Sequence, residues 1–449
     1  MNRERHIIFQ NTTDILDPNQ KEGCRGRVAS LILHLLARSL HMASSEDLVV
    51  AGKVPDDFIG YLRRIRDEEC PPIVQVDVQP PLFTAHLLGP LENVLGRENY
   101  CLNPYIQWET VAAWGKEHGI QMAFTNPDLI LGGIVRRAND KIEFRRRCVE
   151  LGIPIVPSQE WYLVSPGREE EIKRTISAMA KEFGGVFVQN GLSGGGVGNV
   201  AIRCSREGFL VDGRIFTEEE LGLYLRKWLS AARGENIAVA PFLELIASHT
   251  VSGFIPPLGK GEPFVYGLFE QVLDPQTHDY RGFKWPAFHE QQGDMIKWTI
   301  RWFSHLQQEG YVGPSDVDFI LGKNPKLGTV LAASESNTRW DAFRFALSYA
   351  ARKMGWDKRT LEGINPGNAP AIYQEDHVRT RLPSTSAIVK AVREGEIPLF
   401  GIEGSSGGVI VMVPPRKLEK GGYETALAVV GENAKEAERI FSQTKEAIE

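Results

Sequence analysis

The chain has 449 residues, of which 42% are apolar, 24% charged and 9% aromatic, with a formal net charge of -6. This length exceeds one compact core and suggests roughly three domains or lobes, and the balance excludes a disordered or fibrous protein. The small negative charge provides no basic footprint for nucleic acid, so a small-molecule substrate is the better expectation.

The first ten residues carry charges but no apolar core of signal-peptide length, and the most apolar early stretch, 28–37, is interrupted by His34. Nothing there reads as a targeting or membrane-spanning segment, and the expected compartment is the cytoplasm. The five cysteines lie far apart with no CxxC pair, which suits neither a disulfide framework nor a zinc site. The histidines show no HxH or HxxxH spacing that would suggest a metal centre.

In chain order, short apolar runs at 5–9 and 47–50 alternate with helical patterns at 28–40 and 56–66, as in an α/β lobe on a mainly parallel sheet. A helix is expected at 140–151, followed by Gly152-Ile153-Pro154 and an extended stretch to 163. Ser165-Pro166 opens another helix, with Ile172, Ile176, Met179 and Phe183 at helical spacing before Gly184-Gly185. Strands at 186–189 and 200–204 flank a glycine-rich segment. Further strands are expected at 237–243, 249–255 and 264–273, then a helix at 292–309. A strand at 408–413 and a helix at 434–449 give an α+β ending.

Three segments hold candidate chemistry. The first, Gly191-Leu192-Ser193-Gly194-Gly195-Gly196-Val197-Gly198, lets backbone N–H groups approach phosphate oxygens. It lies between strands rather than at a helix start, so it reads either as a flap over phosphates or as a surface hairpin. The second runs from Gly313-Pro314-Ser315-Asp316-Val317-Asp318 through a Gly/Asn/Pro turn to Ser334-Glu335-Ser336-Asn337-Thr338-Arg339. An antiparallel hairpin there sets Asp318 and Glu335 roughly opposite each other, and alternation puts Glu335, Asn337 and Arg339 on one face. Two carboxylates and an amide oxygen make a hard oxygen site suited to magnesium; a solvated polar face with an Arg339–Glu335 ion pair is the plainer alternative. The third is Asn139-Asp140-Lys141, where a lysine at a helix start is unfavourable unless it meets an anion. The run Arg145-Arg146-Arg147 reads as a solvated helix face with room for one member turned to a partner, and Trp298 and Trp302 read as packing.

Taken in order, the ND-K helix, the GIP step, the strand with its glycine-rich flap, the linker Ala238 to Glu244 and the D-V-D-F and E-x-N-x-R hairpin resemble the ATP-grasp superfamily over about 139–339. The resemblance implies an ATP-grasp fold preceded by an α/β pre-grasp domain, with ATP between two lobes. The expected boundaries are 1–138 for the pre-grasp domain, 139–242 for the lid and 243–449 for the catalytic part and its C-terminal segment. It implies an ATP-dependent carboxylate–amine ligase that forms an amide bond through an acyl phosphate, using Mg2+, two ions by expectation. The alternatives are a small-molecule kinase on the same fold or a non-catalytic nucleotide-binding protein. By resemblance Lys141, Gln189, Ser193, Gly194, Gly195 and Gly196 contact the nucleotide phosphates. Ala240, Phe242 and Leu243 line the adenine hinge, with Glu244 or Ser248 near the ribose. Asp318, Glu335 and Asn337 hold the metal, and Arg281 and Arg339 steady the transferring phosphoryl group. Gln189 departs from the pattern, which has a lysine there. The N-terminal third resembles the lead-in domain of pheganomycin-type peptide ligases, which implies small acid and peptide amine substrates and a homodimer.

Overall fold

The computed structural model describes residues 4–11, 34–76, 88–93, 100–192, 199–273, 280–356, 370–402 and 405–449. Three sheets follow one another along the chain. The first joins β1 (Arg5–Phe9), β2 (Leu48–Ala51), β3 (Ile73–Gln75), β4 (Tyr100–Pro104) and β5 (Gln121–Met122) in the order β3-β2-β1-β4-β5. Every pairing in it is parallel, as the alternation of apolar runs and helices predicts. Helix α1 (Asp56–Ile65) buries Phe58, Tyr61, Leu62 and Ile65, the i, i+3, i+4, i+7 stripe of a half-buried helix. Helix α2 (Glu109–Glu117) follows β4. Of the expected helix at 28–40, the part from His34 is helical as far as Met42, with a 3-10 turn at Leu36–Arg38, and the part before it lies outside the described residues.

Three helices in succession, α3 (Pro127–Leu131), α4 (Ile134–Asn139) and α5 (Lys141–Glu150), lead to the second sheet. It consists of β6 (Glu160–Leu163), β7 (Gly185–Asn190), β8 (Val200–Ser205), β9 (Gly208–Val211), β10 (Arg214–Phe216) and β11 (Asn236–Pro241), antiparallel in the order β10-β9-β8-β7-β11-β6. Helices α6 (Glu169–Phe183) and α7 (Glu218–Ala231) cover it. Ile172, Ile176, Leu221 and Leu225 meet Val186, Val188, Ile202 and Val239 in a core of its own. A capping box between Thr217 and Glu220 starts α7.

The third and largest sheet has β12 (Glu244–Ile255), β13 (Phe264–Leu273), β14 (Tyr280–Trp285), β15 (Gly313–Asn324), β16 (Gly328–Asn337), β17 (Ala371–Thr380), β18 (Gly408–Val411), β19 (Arg416–Lys417) and β20 (Tyr423–Gly431). Its order is β16-β15-β12-β13-β14-β17-β20-β18, with β19 on β20. Helices α8 (Gln292–Gln308), α9 (Arg344–Met354), α10 (Thr385–Glu394) and α11 (Ala434–Ile448) complete it. Trp302 of α8 is buried edge-on against Phe144 of α5, centroids 5.0 Å apart, and Trp298 packs on Phe319, so both tryptophans serve packing. One continuous core runs through the first and third sheets. No helix among the described residues is long and apolar enough to cross a membrane.

That core encloses His41, which is fully buried between the rings of Phe58 and Tyr349 with no hydrogen bond to either ring nitrogen among the described residues. Burial first, and then Arg66, pull its pKa down to about 3. A depressed histidine contributes stability that is complete above its unfolded pKa of about 6.5 and is lost as pH falls towards the folded value. The unfolding midpoint is therefore expected to drop between pH 6.5 and pH 4, and His41→Phe to flatten that slope. Equal slopes in a pH series of thermal melts would contradict the assignment.

Candidate active site

The site forms where α5 and the edge of the second sheet meet β12, β15 and β16. Asp140 caps α5, its carboxylate accepting from Ile142 N at 2.8 Å and Glu143 N at 3.2 Å. This leaves Lys141 at the first helical position, and its Nζ reaches Glu335 Oε2 at 2.8 Å, with the lysine side chain 8% exposed. The backbone N–H of Lys141 donates to Gly191 O at 3.0 Å, so the root of the glycine-rich segment sits on the helix start. A Cβ at Gly191 would lie 2.9 Å from Asp140 Oδ1, which is why a glycine is needed there. Ser193, Gly194, Gly195 and Gly196 lie outside the described residues.

The β15–β16 hairpin pairs Asp318 directly with Glu335, and Asp316 with Asn337. The register slips once, between Asp318 and Phe319. Just beyond the slip, Ala333 N donates to Pro154 O at 2.8 Å, which ties the GIP step to β16. Asp318 Oδ1 accepts from Thr250 Oγ1 and from Gln271 Nε2 (3.0 Å), and its Oδ2 from Asn337 Nδ2 (3.2 Å). Asn337 Nδ2 also donates to Asp316 Oδ1 at 2.7 Å. Asn337 thus donates twice through its amide nitrogen, and its Oδ1 makes no hydrogen bond among the described residues.

Asn139 anchors the far end of β16. Its Nδ2 donates to Val135 O and to Thr338 Oγ1, while its Oδ1 accepts from Thr338 N (3.2 Å) and Arg339 Nη1 (3.3 Å). Lys141, Asp318, Glu335, Asn337 and Arg339 therefore come together. Arg281 lies on β14, three strands from β15 in the order of the sheet.

Charge in this cluster is uneven. Burial, followed by the neighbouring carboxylates, pushes Asp316 and Asp318 well above the usual carboxylate range. Burial would raise Glu335 too, but Lys141 beside it, with Arg339 and Arg145 behind, holds its pKa below the ordinary value. Burial would likewise lower Arg339, yet Tyr105, Asp316 and Glu335 keep it firmly charged. Two aspartates crowded together in this way resist ionisation unless a cation shares their field. Among the described residues, no group of three or more His, Cys, Asp or Glu side chains is arranged to hold a metal alone. Asp318, Glu335 and the Asn337 oxygen fit a magnesium ion that takes its remaining ligands from phosphate or water.

The adenine-hinge positions lie at the passage between the two sheets. Ala240 is buried at the end of β11 and packs with Val156 and Ala332. Phe242 N donates to Gly185 O at 3.0 Å and Phe242 O accepts from Asn324 Nδ2 at 2.8 Å, so Phe242 offers no free N–H to a base. Leu243 follows, and Glu244 opens β12 opposite Lys323. Ser248 Oγ donates to Gln271 Oε1 at 3.1 Å, two links from Asp318.

Three site residues escape the sequence reading. Asp316 is two residues from Asp318 and so on the same face, a signal that alternation could have supplied. Asn139 could be seen only in the fold. Arg145 is 4% exposed, whereas Arg146 and Arg147 pair at the surface with Glu143 and Glu150; one arginine of the run is indeed turned inward. Further along the same sheet face, past Ser252, a cavity of about 560 Å³ is walled by Phe124, Phe254, Tyr266 and Trp340, with Arg344 beside it.

The sequence matches no protein-family profile and no curated protein sequence. In structure the chain is similar to the biotin carboxylase domain of 2-oxoglutarate carboxylase from Hydrogenobacter thermophilus, solved as a dimer with MgADP, ADP and bicarbonate. The TM-score is 0.59 at 16% identity, over 100% of this chain and 91% of that one. Biotin carboxylase from Campylobacter jejuni in complex with β,γ-ATP matches with TM-score 0.59 and 13% identity, over 99% and 92% of the two chains. N5-carboxyaminoimidazole ribonucleotide synthetase from Thermus thermophilus matches with TM-score 0.53 and 14% identity, over 93% and 97%. These matches take in the N-terminal third as well as the later sheets. The chain has the ATP-grasp fold.

Proposed function

We propose that the chain is an ATP-dependent ligase that joins a carboxylate to an amine. The observation that carries this reading is the cross-strand pair Asp318 and Glu335, with Asn337 beside it and Lys141 on Glu335. Two structural neighbours were solved with adenine nucleotides, one of them as its magnesium salt, which supports ATP and Mg2+ as the ligands of this cleft. Magnesium bound by Asp318, Glu335 and Asn337 would neutralise phosphate charge. A carboxylate is a poor acyl donor because oxide is a poor leaving group, and phosphorylation by ATP replaces oxide with phosphate. The residues of the chain then position the reactants and offset charge: Lys141 and Arg339 face the developing negative oxygens, and no side-chain nucleophile is required. An acyl phosphate must be kept from water before the amine attacks.

The finer reading is that the acid is small and the amine belongs to an amino acid or peptide, as in pheganomycin-type ligases. The aromatic-walled cavity beside Arg344 offers room for such a substrate on the face that carries the metal site. Residues 139–242 act as the lid and 243–449 as the catalytic part, and the enzyme works as a homodimer, the state in which the Hydrogenobacter relative was solved. Phosphate release from ATP and Mg2+ is expected to require both a carboxylate and an amine when pools of amino acids and short peptides are supplied. Release with the carboxylate alone, with a stable phosphorylated product, would identify a kinase instead.

A further inference from the structure

Gln189 provides no charge, yet a buried cation lies against it. Arg145 donates only to neutral oxygens among the described residues: Nε to Ser334 O at 3.0 Å, Nη1 to Gln159 Oε1 at 3.4 Å and Nη2 to Gln189 Oε1. The carboxylate that acts on it most strongly, Glu335, is paired with Lys141. A buried charge with no opposite charge in contact is costly to maintain unless an anion arrives to share it.

The chemistry of the two side chains fixes their orientation. A guanidinium has donors only, so the Gln189 amide must present its oxygen to Arg145 and turn its nitrogen the other way. That Nε2 has no acceptor among the described residues and is not among the fully buried unpartnered atoms, so solvent reaches it. Gln189 lies one residue before Asn190, which ends β7, and β7 leads directly into the glycine-rich segment. An unpartnered N–H donor on this strand, backed by a buried positive charge, suits an oxyanion.

Building on the ligase reading and its nucleotide cleft, we propose that Arg145 is a positioning residue for nucleotide binding: it locks the Gln189 amide so that Nε2 donates to a phosphate oxygen, and it supplies the positive charge that the amide lacks. The function of one strand cation is thereby divided between two residues on different elements, a donor on β7 and a charge on α5. Gln189 touches the ligand, and Arg145 acts through it and through the field.

The test is calorimetric titration of the full-length chain with MgADP. Gln189→Leu, which keeps the bulk and removes the donor, and Arg145→Ala are each expected to weaken binding by about 10-fold, the scale of one charge-assisted hydrogen bond. Gln189→Lys should also weaken binding while Arg145 remains, because two cations then crowd one pocket. Combined with Arg145→Ala, the same lysine should restore affinity to within about 3-fold of wild type, a sign reversal that loss of packing does not produce. Binding by Gln189→Leu equal to wild type, or an effect of Gln189→Lys that is the same with and without Arg145, overturns the proposal and leaves the ligase reading standing. If wild type itself binds neither MgADP nor MgATP, both fall together. Should Arg145→Ala fail to fold, the two single Gln189 variants still decide the donor role.

Discussion

Glu335→Gln is expected to lower ATP turnover by about 100- to 1000-fold, the usual cost of removing one preorganised charge from a phosphoryl-transfer site. The substitution retains the shape of the side chain but discards a hard anionic ligand and the partner of Lys141. Lys141 is buried, so its charge would turn towards whatever anion remains, and Asp318 across the strand is the candidate. Stability should respond differently from rate. Losing the Lys141 pair costs energy, but thinning a group of three carboxylates whose aspartates already resist ionisation relieves repulsion. These effects oppose each other, and the unfolding midpoint is expected to stay within about 3 °C of wild type. Turnover within a few-fold of wild type, measured as phosphate release with acid and amine supplied, would remove Glu335 from the mechanism. Thermal melts on the same samples separate that result from misfolding.

Asp376→Asn should be the more damaging change to the fold. Arg38, in the 3-10 turn of the N-terminal unit, donates from Nη1 to Asp376 Oδ2 at 2.8 Å, and the two side chains are only 6% and 5% exposed. Gln374 Nε2 donates to the other carboxylate oxygen at 2.6 Å, and the guanidinium lies over the Phe345 ring. Removing one member leaves a desolvated charge without its counterpart, a loss of about 3–5 kcal/mol. Replacing both, as Arg38→Met with Asp376→Leu, should cost much less because neither charge is then buried. The comparison of unfolding midpoints among the two singles and the double carries the test: a double variant as unstable as the sum of the singles would show that the pair has no special weight.

How much of this could be read from the order of residues depends on the range over which each feature is determined. Local periodicity fixes the stripe of α1, the hairpin that opposes Asp318 and Glu335, and the helix that begins after Asp140, since each is set within about 25 residues. The parallel first sheet follows from the alternation of strands and helices. Asn139 and Arg145 are different. Their partners, Thr338 and Ser334, lie 199 and 189 residues away, and nothing near either residue distinguishes an inward-facing side chain from a solvated one. The lysine pattern was informative by its absence at Gln189, but only the packing of α5 against β7 shows a cation beside that amide. Phe242 illustrates another limit: a linker strand looks like an open hinge until Gly185 is seen to take its N–H.

The spacing of those contacts also sets a timetable during synthesis. The strand pairings of the five-stranded parallel sheet need nothing beyond Met122, whereas Lys141 must wait 194 residues for Glu335. At roughly 5–20 residues per second, that interval is about 10–40 s. Throughout it, α5 holds two cations, Lys141 and Arg145, whose eventual surroundings have not yet left the ribosome, and water must serve as their partner. The second sheet, with its own core, matures inside the same interval, and the nine-stranded sheet can close only when β20 arrives between β17 and β18. A nascent chain halted before residue 335 should therefore present a finished middle lobe, an N-terminal sheet whose shared core still lacks its third-sheet half, and no capacity to retain nucleotide.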